Sequence, residues 1–160
     1  MKKKFFIGLF IFTTIGLFIF AHIVLKDNTP KSEIGQQNIQ APIEIPETGI
    51  LQLSDAVKTN KPVLVMFYVD WCAYCRRFMP IFSALSVLHK DKYTFAVVNC
   101  DKPENKEVVK KYHIGSFPTL YIIDEKLDFE MMVHPMATVD KKVMDRELLK
   151  YLNLRSKVLK

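Results

Sequence analysis

Two cysteines, Cys72 and Cys75, stand two residues apart directly behind Trp71. Thiols at this spacing occur in redox, zinc and haem sites, so the pair alone predicts thiol chemistry without fixing its kind. An apolar run, 63–69, precedes the pair and apolar residues at helical spacing follow it, which places the pair where a buried strand passes into a helix. Backbone N–H groups and the positive dipole end at a helix start favour a thiolate. We therefore expect Cys72 to be the nucleophile and Cys75, one turn inside, to be the resolving thiol.

The segments around the cysteine pair alternate between strand and helix patterns. Apolar β-rich runs predict buried strands, and Ser54 and Asp101 are suitable N-caps for helices. Alternation of this kind predicts parallel strand pairing, while a closing hairpin adds an antiparallel edge. We therefore expect an α/β fold with a central mixed four-stranded sheet flanked by helices. The predicted strands cover 63–69, 93–99, 119–123 and 129–133, and the predicted helices cover 54–58, 72–89, 101–112 and 140–152.

A second motif, from 112 to 119, contains Phe117-Pro118 and follows the third predicted helix. This motif and the segment 71–75 resemble the two signatures of the thioredoxin family. Pro80 matches the proline inside the active-site helix of that family. The resemblance covers nearly all of the chain after the first 47 residues, and it implies a thioredoxin fold with a cis peptide bond before the proline of the second motif.

The resemblance also implies how the site works. Cys72 would be the exposed attacking thiol and Cys75 the shielded resolving thiol of a disulfide exchange, so these two are the expected catalytic residues. The backbone of the second motif would be free to pair with an extended substrate segment. The expected substrate-groove residues surround the sulfurs, and they are Trp71, Tyr74, Phe117 and Pro118.

Two departures from the family pattern concern proton transfer and redox potential. Thioredoxins bury an acidic residue in the central strand, where this chain has Met66, and an accompanying lysine, where it has Val97. Deprotonation of Cys75 would then have to use water or the field of the helix start. The pair Ala73-Tyr74 also replaces the family's Gly-Pro between the cysteines, so the family's reduction potential does not carry over to this chain.

Several other residues are weaker candidates. We expect Cys100 to be a small core residue rather than a third redox thiol, because free cysteine packs well in protein interiors. Asp70 is expected to be solvated, and Arg76 and Arg77 are expected to form a solvated helix face rather than to tune the thiolate. The four histidines share no ligand spacing. We therefore expect no metal ligands and no cofactor.

The chain begins with a segment suited to membrane insertion. Residues 1–4 carry three lysines, and 5–25 is a stretch of 21 residues without a charge, about 31 Å long as a helix and enough to cross a bilayer. We favour an uncleaved signal anchor over a cleaved signal peptide, whose apolar stretch is about 7–15 residues. Residues 26–47 are polar and carry three prolines, as in a linker, and 48–160 would be the folded domain. This arrangement predicts a basic cytoplasmic end and a domain on the periplasmic or extracytoplasmic side of a bacterial inner membrane.

The net charge of +6 does not indicate a nucleic-acid partner. Four of the 23 basic residues flank the predicted anchor, and 27–160 keeps 19 basic against 17 acidic residues. Nucleic-acid-binding domains cluster Lys and Arg strongly on one face. We expect a membrane-anchored monomer that does not bind nucleic acid.

The spacing of the motifs bears on the direction of exchange. Exported oxidants of this family insert a helical subdomain between the active-site helix and the cis-proline strand, but only 46 residues separate Cys72 from Pro118. Exported isomerases carry a dimerisation domain before the fold, and 26–46 is too short for one. We therefore expect a protein that reduces disulfides of exported proteins with electrons from a membrane electron-transfer partner. A small oxidant or isomerase of the same fold remains an alternative, as does a copper- or zinc-delivery module that uses the cysteine pair.

Overall fold

The structure, a computed structural model, describes residues 41–47 and 49–160. These residues belong to one compact unit, Asn38–Lys160. The predicted basic end, the predicted anchor and most of the predicted linker lie outside the described residues. Within the described ranges, no helix has both the length and the hydropathy needed to cross a membrane.

The described chain contains five strands and four α-helices, with short 3-10 turns at Pro103–Asn105, Glu125–Leu127 and Pro135–Thr138. In chain order these elements are β1 (Leu51–Gln52), α1 (Leu53–Ala56), β2 (Val63–Tyr68), α2 (Ala73–Leu88), β3 (Thr94–Asn99), α3 (Lys106–Lys111), β4 (Thr119–Asp124), β5 (Phe129–Met132) and α4 (Lys141–Val158).

The strands form one mixed sheet in the order β1-β3-β2-β4-β5. Strands β1, β3 and β2 are parallel, and β4 pairs antiparallel with both β2 and β5. The predicted mixed sheet with flanking helices is confirmed, but the predicted number of four strands is wrong. The missed strand, β1, has two residues, with Leu51 opposite Ala96 and Gln52 opposite Val97. A strand of two residues is too short to leave an alternating pattern in the sequence.

Strand β2 is buried on both faces, which explains why it reads as a continuous apolar run. Alternate side chains of a strand point to opposite sides of the sheet. Leu64 and Met66 belong to the core cluster that also holds the buried residues of α2 and α4. Val65 and Phe67 belong to the second cluster, with residues of α1 and of the segment after α3. The end of β2 is therefore held between two packed layers.

Helix ends differ in part from the predicted caps. Helix α1 starts at Leu53 after Gln52, without a side-chain cap, so Ser54 is not its N-cap. Lys102, rather than Asp101, is the N-cap of the 3-10 turn that leads into α3. Asp140, where the last helix is predicted to begin, is the N-cap of α4, because its carboxylate accepts a hydrogen bond from the Lys142 backbone N–H at 2.7 Å.

Helix α4 continues beyond its predicted end because a tertiary ion pair anchors its last turns. Asp124, at the end of β4, is buried and accepts hydrogen bonds from the Tyr151 hydroxyl at 2.9 Å and from Arg155 Nε at 2.5 Å. The Lys126 backbone N–H donates to the same carboxylate at 3.2 Å. A buried carboxylate needs such partners, and two of these three lie on the helix.

Candidate active site

Cys72 lies at the junction that the sequence predicts, between the end of β2 and the start of α2. It is the N-cap of α2, with extended backbone angles, and the Cys75 backbone N–H donates a hydrogen bond to Cys72 Sγ at 3.2 Å. The sulfur thus occupies the place where Ser or Asp oxygens cap other helices. A backbone N–H at a helix start stabilises negative charge on the atom that it contacts.

The two thiols of the pair differ in their surroundings. Cys72 exposes 6% of its surface, while Cys75 exposes none and lies in the core cluster under α2. All three cysteines of the described chain are free thiols. Burial, and then the hydrogen bond with Cys72, raise the pKa of Cys75 well above that of an ordinary thiol. Cys75 is therefore a protonated thiol at neutral pH.

The second motif lies against the first sulfur. The peptide bond between Phe117 and Pro118 is cis, as the resemblance implies. The Cys72 thiol donates to the Phe117 carbonyl oxygen at 3.5 Å. Among the described residues, the backbone N–H of Phe117 has no hydrogen-bond partner. A free N–H beside a reactive sulfur can pair with a substrate strand.

Aromatic side chains border the sulfur on the solvent side. The Trp71 ring stands edge-on to the Phe117 ring, with 6.0 Å between centroids. Trp71 is 58% exposed and Tyr74 68% exposed, which is unusual for large aromatic residues. Arg77 is exposed on the helix face, as predicted, and its guanidinium lies over the Tyr74 ring, 5.6 Å from the ring centroid. The rim is thus apolar and accessible.

The layer beneath the pair carries no charge. Met66 and Val97 face each other in neighbouring strands and are both buried. Both belong to the core cluster that contains Cys75. The positions where thioredoxins place an acid and a lysine are therefore adjacent in this chain, and apolar in both strands.

Asp70 was predicted to be solvated, and the structure corrects this prediction. Its carboxylate accepts hydrogen bonds from the Ile43 backbone N–H at 2.8 Å and from Asn99 Nδ2 at 2.9 Å. Arg76 was assigned to a solvated helix face, but it is half-buried and donates to the carbonyl oxygens of Ala41 and Asp70. These contacts tie the loop before Trp71 to the segment that precedes β1. The Asp70 partners lie 27 and 29 residues away in sequence, so no local pattern could reveal them.

The remaining candidate residues make contacts that contribute to packing rather than to the thiol site. Cys100 is half-buried and packs against both core clusters, and burial raises its pKa to about 11. His89 Nε2 lies 2.6 Å from Asp145 Oδ1 and joins α2 to α4. In the part of the chain that the structure describes, no group of three or more His, Cys, Asp or Glu side chains could hold a metal ion.

Comparison with known proteins agrees with this geometry. Residues 51–143, more than half of the chain, match the Thioredoxin family. Thioredoxin from Alicyclobacillus acidocaldarius subsp. acidocaldarius is 40% identical over 67 residues, which cover 42% of this chain and 62% of that protein. Protein disulfide-isomerase 1 from Dictyostelium discoideum is 36% identical over 72 residues, 43% of this chain and 20% of that protein. The chain thus spans only about a fifth of the length of this relative.

The solved structures show the same fold. A thioredoxin from Thermus thermophilus superposes with a TM-score of 0.54 at 21% identity, covering 66% of this chain and 88% of that one. The Trx4 domain of ERdj5 superposes with a TM-score of 0.52 at 21% identity, covering 69% and 99%. The sheet order, the cysteine pair at the start of α2 and the family match lead to one conclusion: the chain has the thioredoxin fold and belongs to the thioredoxin family.

Proposed function

We propose that this protein is a protein-disulfide oxidoreductase that reduces disulfides of exported proteins through Cys72 and Cys75. The observation that carries the proposal is the asymmetry of the pair. The Cys72 sulfur lies at a helix start beside an exposed aromatic rim, and the Cys75 thiol is fully buried one turn behind it. Disulfide exchange requires this combination of one attacking and one resolving thiol.

The reaction runs in two displacements. The Cys72 thiolate attacks one sulfur of the substrate disulfide, the substrate S–S bond breaks, and the other substrate sulfur leaves as a thiolate that takes up a proton. Cys75 then loses its proton to water and attacks Cys72 Sγ, which breaks the mixed disulfide and releases the second substrate thiol. Two electrons pass from the cysteine pair to the substrate, and a Cys72–Cys75 disulfide remains. The Phe117 backbone and the Trp71 and Tyr74 rings hold the substrate segment during both steps.

Compactness supports the reductive direction. Between the cysteine pair and Pro118 the described chain contains α2, β3, a 3-10 turn and α3, with no inserted subdomain. A helical insertion at this place is a feature of the family's exported oxidants. The small oxidant or isomerase is therefore the second choice, and the metal-delivery module is the third.

The proposed site of action is based on the predicted anchor. We place the domain outside the cytoplasmic membrane, attached to it by an uncleaved anchor at 5–25. We expect the protein to be a monomer. A membrane electron-transfer partner would reduce the Cys72–Cys75 disulfide after each turnover. Its substrates would be exported proteins with disulfides that must be opened.

A reduction potential tests the direction. The full chain is equilibrated in thiol buffers, and the Cys72–Cys75 couple is measured with a Cys100→Ser variant as the control for the third thiol. A value near that of thioredoxin, about −270 mV, supports a reductase. A value near −120 mV, typical of a strong oxidant, would overturn the reductive direction.

A trapping experiment tests the substrates and the membrane partner. In a Cys75→Ala variant, mixed disulfides on Cys72 cannot resolve, so partners stay attached and can be identified from cells. A Cys72→Ala, Cys75→Ala variant is the matched control. Capture of specific exported proteins and of a membrane electron carrier supports the proposal. Broad capture of newly exported proteins would point to oxidation, and an absence of capture would contradict the enzyme function.

A further inference from the structure

The charge of the described domain is concentrated on its last helix. Residues 41–140 contain 11 basic and 13 acidic residues, whereas 141–160 contains seven basic and two acidic residues. The low net charge of the domain therefore conceals an uneven distribution. Although the net charge of the whole domain is small, its last helix carries a strong positive charge.

The basic residues of α4 form a stripe along one side of the helix. The stripe consists of Lys142, Arg146, Lys150 and Lys157, spaced by four, four and seven residues. Residues at such spacings lie one above another on a helix surface. All four are exposed, and within the described residues their one ion pair is a long contact of 4.0 Å between Lys150 and Glu147. Buried Met144, Leu148 and Tyr151 hold the opposite side of the helix against the core, so the stripe points away from the sheet.

An apolar groove adjoins the basic stripe. It has a volume of about 290 Å³ between α4 and the edge strand β5. Lys150 lies on its border and belongs to the stripe as well, so the two surfaces are continuous. Leu154 is 54% exposed and Val158 70% exposed at its end. The apolar side chains that line the groove are Leu127, Phe129, Met131, Leu154 and Val158.

We propose that the α4 surface, defined as the basic stripe and the adjoining groove, docks on the surface of an anionic phospholipid bilayer. Rows of Lys and Arg are attracted to anionic head groups, and exposed apolar residues beside them bury in the boundary between head groups and acyl chains. A second copy of this chain would bring two basic stripes together and is disfavoured by their repulsion. A nucleic acid would match the charge but would leave the apolar groove uncovered.

The docked orientation leaves the thiol site accessible. Cys72 and Trp71 lie at the N-terminal end of α2, at the edge of the sheet where β2 ends, and neither belongs to the α4 surface. Docking through α4 would therefore not cover the cysteine pair. The proposal rests on the charges and exposure of described residues and is independent of the direction of disulfide exchange.

Lysine labelling of the full chain tests the proposal. The chain is reconstituted into vesicles of phosphatidylcholine with or without phosphatidylglycerol, and acetylation rates of individual lysines are read by mass spectrometry. Because the predicted anchor would hold the chain in both vesicles, the readout is protection of the stripe and not binding itself. Lys142, Lys150 and Lys157 should be protected at least about threefold by the anionic lipid, and raised salt should remove the effect. Lys106 and Lys110, on α3 at the other face of the sheet, should label equally in both vesicles.

Matched charge reversals sharpen the result. A Lys150→Glu, Lys157→Glu variant should lose most of the protection at Lys142, while Lys106→Glu, Lys110→Glu, with the same charge change, should keep it. Equal stripe labelling in both lipids, or equal protection of the α3 lysines, would overturn the proposal. Protection in native membranes but in neither vesicle would assign the surface to a protein partner and would overturn the lipid assignment too.

Discussion

The two ends of the paired strands β2 and β4 bury different chemistry. Beyond the pair Phe67–Thr119, the sheet leads to two thiols that bond to backbone groups. Beyond the pair Val63–Ile123, it leads to Asp124, which is 1% exposed and bound by Arg155 and Tyr151. We call these the thiol end, with Cys72 and Cys75, and the carboxylate end, with Asp124. The same sheet buries a polar group at each end, with different partners.

The difference separates reactivity from stability. The carboxylate of Asp124 has an ionic partner and further hydrogen-bond donors, and these interactions fix α4 to the sheet. The thiols bond to backbone groups and to each other, and the layer beneath them is Met66 and Val97. Weak bonding leaves the sulfurs free to exchange. Changes at the thiol end should alter chemistry, and changes at the carboxylate end should alter stability.

Replacing the first thiol should have the largest effect. Cys72→Ser should lower the rate of reduction of a model disulfide by at least about a thousandfold, because the hydroxyl is not ionised and cannot attack sulfur. Urea unfolding should change little. Cys100→Ser is the control and should keep most of the activity. If Cys72→Ser retained exchange activity, the nucleophile would have to lie elsewhere.

Removing the buried carboxylate should reverse this pattern. Asp124→Ala leaves Arg155 without its ionic partner in a half-buried site, which should lower the free energy of unfolding by about 3–5 kcal/mol. Disulfide exchange by the remaining folded protein should stay within about twofold of the original rate, because the change is at the far end of the strand. Glu125→Ala, at the exposed neighbouring position, should be nearly neutral. A large loss of exchange rate with unchanged stability would contradict the separation of the two ends.

Placing a carboxylate at the thiol end should make the two ends more alike. Met66→Asp should lower the free energy of unfolding by about 2–4 kcal/mol at neutral pH, because the new group is buried without a partner. It should also raise the rate at which Cys75 resolves a mixed disulfide, by about tenfold, since the acid can accept the thiol proton. Val97→Lys, opposite in the sheet, should restore part of the lost stability. Met66→Leu is the size-matched control, and a faster resolution step in that variant would exclude the proton-acceptor explanation.

The contacts of the loop before the cysteine pair should contribute less to the free energy of unfolding. Asp70→Ala removes the acceptor for the Ile43 N–H and for Asn99, which should lower the free energy of unfolding by about 1–2 kcal/mol. Hydrogen exchange at the Ile43 amide should accelerate more than at core amides. Asp91→Ala, at an exposed position, should change neither. Equal exchange at Ile43 in the variant would mean that this contact does not hold the segment.

High pH should reveal the buried neutral groups of both ends. Burial raises the pKa of Cys100 to about 11, and it also raises the pKa of Cys75 and of Tyr93. A group whose pKa is higher in the folded state holds its proton more tightly there and so stabilises the fold. This stabilisation is complete below the pKa of the unfolded state, which is about 9 for a thiol. It is lost as the pH rises through the pKa of the folded state. Unfolding free energy should therefore fall from about pH 9 towards 11. Cys100→Ala should reduce that fall by up to about 2 kcal/mol, because each unit of pKa shift corresponds to about 1.4 kcal/mol. An unchanged pH profile would mean that Cys100 does not contribute.

Much of the thiol end could be predicted from the sequence because its signals are local. The apolar run of β2, the spacing of the cysteines and the helical pattern after them all lie within one short segment. That segment places Cys72 at the start of α2, as the structure confirms. Phe117-Pro118 was found through its motif, although it is distant in the chain. The strand β1 was missed, because two residues carry no detectable period.

The carboxylate end and the supports of the active-site loop could not be predicted, because their partners are distant. Asp124 meets Tyr151 and Arg155 only when α4 folds back onto the sheet, 27 and 31 residues later. Asp70 meets Ile43 and Asn99 only when the segment before β1 and the end of β3 reach the same edge. From sequence alone, such a carboxylate is predicted to be solvated, because its hydrogen-bond donors are not among its neighbours in the chain.

The sequence alone was enough to predict thiol chemistry, because thiol spacing, strand runs and helix starts are encoded in neighbouring residues. It was also enough to predict the thioredoxin fold and the position of the cysteine pair at a helix start. Only the folded structure shows how deeply each sulfur is buried, which carboxylates are fixed and where the basic side chains of α4 point. Those properties depend on contacts between residues far apart in the chain, and only the folded sheet with its helices brings them together.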